Sequence, residues 1–173
     1  MKYWAGFLLV FCYCQSIWAQ TIPPLQRESD DYSTYLIPNL ETGLILLEAD
    51  IERFQELMKQ FQYQEFHRGF ELEFLAPSSR INQLRLIRKE KNQVQFIFSP
   101  TKLHLIQQLE QALIARKAIV SRDQGGMTWY KLPPLQVKSS NVIRVGIKLE
   151  SDSEDRVGRT WAIWSTTVIF SKN

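Results

Sequence analysis

Apolar and polar positions alternate with a period of two in four separate stretches. Phe70, Leu72 and Phe74 alternate with Glu71 and Glu73. Leu84 and Leu86 alternate with Gln83 and Arg85, and Val94, Phe96 and Phe98 with Gln93, Gln95 and Ile97. Ile143, Val145, Ile147 and Leu149 alternate with Arg144, Gly146 and Lys148. Successive side chains of a strand point to opposite faces, so each stretch predicts a strand with one covered and one wet side. The connectors APSSR and KEKN are turn-like, so the first three strands read as an antiparallel meander. Further strands are expected near Thr128–Leu132 and Thr160–Phe170, after the break at Gly125-Gly126. The second of these is apolar on both faces, which suits a central strand.

A different period marks two helices. Ile51, Phe54, Leu57, Met58 and Phe61 recur at helical spacing behind Asp50, a good N-cap. Leu105, Ile106, Leu109, Ala112 and Leu113 line one side of a second helix. Ser99-Pro100 reads as its opening, a capping hydroxyl before a first-turn proline, and the pattern runs to about Lys117. The run Thr42–Glu48 (TGLILLE) is short and continuously apolar, which predicts a buried strand. Residues 20–40, with Pro23, Pro24 and Pro38, predict an extended leader, either a tether or a strap along the domain.

The expected class is α+β: antiparallel sheet or sheets with two packed helices. The expected order is β-α-β-β-β-α-β-β-β, with a pseudo-repeat of an α-β-β-β unit as one reading of it. The expected organisation is a secretory signal over 1–19, the leader over 20–40 and a single domain over 41–173.

The signal is read from Lys2, the apolar run Tyr3–Cys14, and the small residue Ala19 at the expected cut. Cleavage after Ser16 is the alternative. The bulky Phe11 and Tyr13 before Cys12 and Cys14 disfavour a lipidated cysteine, and Gln15 and Ser16 weaken the run as a lasting span. Both cysteines then leave with the signal, and disulfides, thiol chemistry and cysteine metal sites leave with them. About 150 residues remain, enough for one domain with its own core. The formal net charge of +3 includes Lys2, so the mature chain is nearly neutral, and nucleic acid is not an expected partner.

Candidate chemistry is sparse. Glu71 and Glu73 on one strand face would stand about 6.6 Å apart, a spacing that can bracket a glycosidic bond. The plainer reading is a charged ladder in which Arg85 on the next strand pairs with them. His67 would share that face, but roughly 13 Å from Glu71 is too far for one metal ion. His104 falls opposite its helix's apolar stripe, beside Gln108 and Gln111.

Arg80, Arg85, Arg88, Lys89 and Lys91 form a basic stretch, read either as edge-strand protection or as a surface for an acidic partner or anionic headgroups. The acidic run Glu150–Asp155 lacks the glycine and final Glu of a helix-loop-helix calcium loop, and reads as a solvated turn. Trp129, Tyr130, Trp161 and Trp164 are candidate stacking surfaces. No nucleophile elbow, zinc-protease motif or phosphate loop occurs.

The binding candidates are therefore Trp129, Tyr130, Arg85 and Arg88. Glu71 and Glu73 are the weak catalytic pair, and no metal or cofactor is expected. The function expected is an exported, periplasmic, non-enzymatic interaction protein with a protein partner in the cell envelope. An inhibitor, an immunity-type protein or an assembly accessory would fit. The alternatives are a small apolar-ligand carrier and a carboxylate-dependent envelope hydrolase.

Overall fold

The computed structural model describes residues 25–31, 33–68, 71–77, 84–134, 142–151 and 164–172. The signal with Cys12 and Cys14, the start of the leader, Arg80, the acidic run beyond Ser151, Trp161, and the side chains of His67 and Trp164 lie outside the described residues.

The chain is α+β. Strands β1 (Arg27–Ser29) and β2 (Thr34–Leu36) form a small antiparallel hairpin, followed by helices α1 (Leu40–Glu48) and α2 (Ile51–Gln60). Four strands come next: β3 (Gln64–Arg68), β4 (Leu72–Leu75), β5 (Arg85–Glu90) and β6 (Gln93–Phe98). Helix α3 (Leu103–Ala115) then leads to β7 (Ile119–Arg122), β8 (Thr128–Lys131), β9 (Ile143–Ser151) and β10 (Trp164–Lys172). The main sheet has eight strands in the order β3-β4-β5-β6-β10-β9-β8-β7, antiparallel throughout. Read outward from the central β6–β10 pair, each half is a four-stranded meander preceded by a helix. The repeated unit is thus α-β-β-β-β rather than the expected α-β-β-β, because β3 and β7 each add a strand.

The three helices share one face of this sheet. Val94, Phe96 and Phe98 of β6 and Val168 and Phe170 of β10 form the centre of the core beneath them. Phe54 of α2 packs edge-on against Phe74 of β4, with ring centres 5.7 Å apart. Leu105, Ile106, Leu109 and Leu113 bury one side of α3, and Phe54, Leu57 and Met58 one side of α2, as the spacing predicts. Ile51 departs from that pattern and is exposed. From the leader, Leu25, Tyr35 and Leu36 enter the core.

The run Thr42–Glu48 is helical, not a strand. Asn39 caps it by accepting a 2.7 Å hydrogen bond from Thr42 N. The helix crosses the central strands so closely that a Cβ on Gly43 would lie 2.3 Å from the Phe170 ring. Burial of Leu40, Leu46 and Leu47 against sheet and neighbours gives an apolar run with no wet stripe, which a helix and a core strand share. Ser99-Pro100 does not open α3 either. The helix begins at Leu103, and its N-cap Lys102 makes no side-chain capping bond.

Candidate functional site

The sequence-predicted site residues do not converge on one site: Arg88, Glu71 and Glu73 meet, and Arg85, Trp129 and Tyr130 do not join them. Arg85 was expected on the wet face, opposite Glu71 and Glu73. Instead it faces the helices, 2% exposed, alongside Ile87 and Lys89. Its Nη1 donates to Ser99 O at 2.7 Å and its Nη2 to Asp30 Oδ2 at 3.3 Å. The guanidinium lies 5.1 Å from the Tyr35 ring centre and 5.6 Å from that of Phe98. A long apolar stem and two aromatic faces make this a tolerable place for a cation whose Nη groups are hydrogen-bonded. Lys102 Nζ also reaches Asp30 Oδ2, at 3.0 Å. Burial, then the neighbouring Glu28, raises the Tyr35 phenol well above its ordinary range, so Tyr35 stays neutral. The cluster ties the N-terminal hairpin to the sheet. It presents no free acid-base pair to solvent.

Arg88 takes the place expected of Arg85. Its Nε donates to Glu73 Oε1 at 2.8 Å and lies 3.0 Å from Glu71 Oε2. One guanidinium thus holds both carboxylates of the weak catalytic pair. This is a cross-strand ladder, with Glu73 directly opposite Arg88. His104 is exposed, and its Nε2 is 3.2 Å from Glu28 Oε2.

Trp129 and Tyr130 are adjacent on β8 and point to opposite faces. Tyr130 is buried and donates to Glu110 Oε1 of α3 at 2.7 Å. Burial and that carboxylate push its phenol up to about 12. The Trp129 indole covers Gly146 of β9, where an added Cβ would come within 2.8 Å of its ring. Its Nε1 donates to Asp123 Oδ2 at 3.0 Å. That bond, with the Met127 amide, holds the Asp123 carboxyl below its ordinary range. Both rings are committed to the fold of the β7–β9 region.

That region carries the surface the sequence reading missed. Strand β7 is the edge of the sheet, with all four residues exposed. Ile119 is 68% and Val120 54% exposed, and Ile114 at the end of α3 adds to the apolar area. The register Ile119↔Lys131 to Arg122↔Thr128 is unbroken. Asp123 N donates to Met127 O at 3.0 Å, so hydrogen-bonded pairs recur at Ser121/Trp129 and Ile119/Lys131. The N–H and C=O groups of Val120 and Arg122 therefore point outward. The opposite edge, β3, also exposes an apolar ring, Phe66 at 65%, but its ladder slips between Glu65 and His67. A bulge of that kind blunts an edge, and β7 has none.

Beside β7 runs a groove of about 280 Å³ between α3 and the sheet. Leu103, Ile106, Ile147 and Leu149 line it with Thr128 and Arg122. The sequence signal for β7 was the β-branched pair Ile119-Val120, followed by a turn in which Gly126 takes a φ of +80°. With no face buried, the strand had no alternation to reveal it.

No protein-family model, curated protein or solved structure matches this chain.

Proposed function

We propose that the chain is an exported, periplasmic, non-enzymatic interaction protein that docks a polypeptide partner of the cell envelope through the β7 edge. The observation that carries this reading is an unbulged edge strand with outward-facing backbone groups and an exposed β-branched side chain on each face, Ile119 on one and Val120 on the other. Strand addition to such an edge supplies affinity through main-chain hydrogen bonds and selectivity through the side chains beside it. Export rests on the pattern of residues 1–19, and it predicts a mature chain beginning at Gln20.

The test is a photo-crosslinking residue placed at Ile119 in cells, with Glu56 on α2 as the control position. A discrete polypeptide adduct from Ile119, absent from Glu56 and lost on adding Val120→Pro, is the expected result. Equal adducts from both positions, or none from Ile119, would sink the reading.

A second reading, a small apolar-ligand carrier, is favoured by the groove lined by Leu103, Ile106, Ile147 and Leu149. It predicts a lipid or similar apolar molecule that copurifies with the native protein and is lost on Ile147→Asp. The hydrolase alternative has less support, since Arg88 holds both of its candidate carboxylates.

A further inference from the structure

The β7 edge is bordered by cations. Arg116 and Lys117 precede it, Arg122 ends it, and Lys131 stands beside Ile119 on β8. All four are exposed, and among the described residues none of them forms an ion pair. Arg144, also exposed, lies directly beside Lys131 on β9. Of the nearby acids, Asp123 is engaged by Trp129 and Met127, and Glu110 by Tyr130.

We infer that β7 receives an extended acidic segment of a partner protein as an added strand, its carboxylates met by Arg116, Lys117, Arg122 and Lys131. The inference rests on the docking reading above and names the chemistry of the partner. The outward N–H and C=O groups of Val120 and Arg122 recur at strand spacing, which an extended polypeptide backbone matches with donors and acceptors in register and a phosphate polymer or an anionic headgroup does not. A second copy of this chain fits poorly. Antiparallel pairing of two β7 strands would bring both sets of cations together, and like charges across adjacent strands are destabilising. An acidic strand replaces that repulsion with attraction, and its apolar side chains meet Ile119 on one face of the sheet or Val120 on the other.

Amide hydrogen exchange on the full mature chain tests this, with two blocked decapeptides as probes, one alternating Glu and Val and the other Lys and Val. The Val120 and Arg122 amides exchange fast in the free protein. The Glu-Val peptide slows them about tenfold, the Lys-Val peptide does not, and the effect fades as ionic strength rises from about 0.05 M to about 0.5 M. The double charge reversal Lys117→Glu with Arg122→Glu, on a surface where folding is not at stake, brings the four positions to zero net charge and abolishes the preference for the Glu-Val peptide.

Equal protection by both peptides overturns the acidic partner and leaves edge docking standing. Protection by neither overturns edge docking as well. Protection that grows with protein concentration alone replaces the partner with a second copy. Protection by an oligothymidylate in place of the acidic peptide assigns the cations to nucleic acid and ends the proposal.

Discussion

Arg85 Nη2 lies 3.3 Å from Asp30 Oδ2, so β5 grips the turn of the N-terminal hairpin through a buried ion pair. Removing one partner of such a pair strands the other in a poorly solvated place. Arg85→Met should cost about 3 kcal/mol, at the lower end for a broken buried pair, because Lys102 still faces Asp30. Asp30→Asn should cost at least as much, because it takes the carboxylate away from Arg85, the more deeply buried partner, and from Lys102 together. The double variant should lose less than the two together, with a coupling of about 1 kcal/mol in urea unfolding. Strict additivity would mean that the hairpin is held by apolar contact alone.

Gly43 and Phe170 make a second sharp test. A methyl group at position 43 meets the ring at 2.3 Å, and the ring sits in the fully buried centre of the core. Gly43→Ala raises helix propensity, which in an exposed helix would stabilise by about 1 kcal/mol. Here overpacking dominates, and the expected change is a loss of about 2–3 kcal/mol. Phe170→Leu made alone should also destabilise. Combined with Gly43→Ala it should recover part of the loss, which thermal unfolding of the three variants would show.

The same contact shows where the sequence was legible and where it was not. Val94, Phe96 and Phe98, and Val145 and Ile147, announce themselves because their strands have one face under helices and one face turned away. The helix carrying Gly43 is nearly enclosed, so its apolar residues lack a period and resemble a core strand. Arg85 was assigned to the wrong face because alternation presumes that charges face water, and here the cation lies between Tyr35 and Phe98. Tyr130 shows the reverse limit. Its neighbour Trp129 looks like a binding ring until the contact with Gly146 is seen, and that contact joins residues far apart in sequence. The edge strand β7, exposed on both sides, gave no pattern at all.

Lys89 predicts an unusual pH response. Its ammonium is buried, donates to Leu46 O and Leu47 O at 2.9 Å each, and so closes the C-terminal end of α1. Burial, with Lys172 nearby, lowers its pKa to about 8, against the opposing effect of Glu48 and Asp50. The unfolded chain, with an ordinary lysine, binds the proton up to about pH 10.4. Between these values the unfolded state holds more protons than the folded one, so stability rises with pH. From pH 8 to about pH 10 the gain should be about 2 kcal/mol. A neutral amine still has two N–H groups for the two carbonyls. Above pH 10 the raised phenols of Tyr35, Tyr63 and Tyr130 act in the opposite sense, since the folded state then holds the extra protons. Urea unfolding across this range should therefore show a maximum near pH 10, and Lys89→Met should abolish the rise that leads to it.

Proline scanning of β7 separates the docking surface from the fold. Ser121 and Trp129 form a hydrogen-bonded pair, so the Ser121 N–H belongs to the β8 ladder, whereas the Val120 N–H points to solvent. Proline removes one donor and holds φ near −65°, which edge positions tolerate when the lost N–H faces outward. Val120→Pro should change stability by less than about 1 kcal/mol. Ser121→Pro should cost about 2–3 kcal/mol and release the hairpin, with loss of the Trp129–Asp123 bond visible as a shift in indole fluorescence. Both substitutions cut the strand available for docking, but only the first does so on an intact sheet. The reverse order of cost, with Val120→Pro the more damaging, would mean that the β7 register alternates the other way, and that the outward-facing groups belong to Ile119 and Ser121.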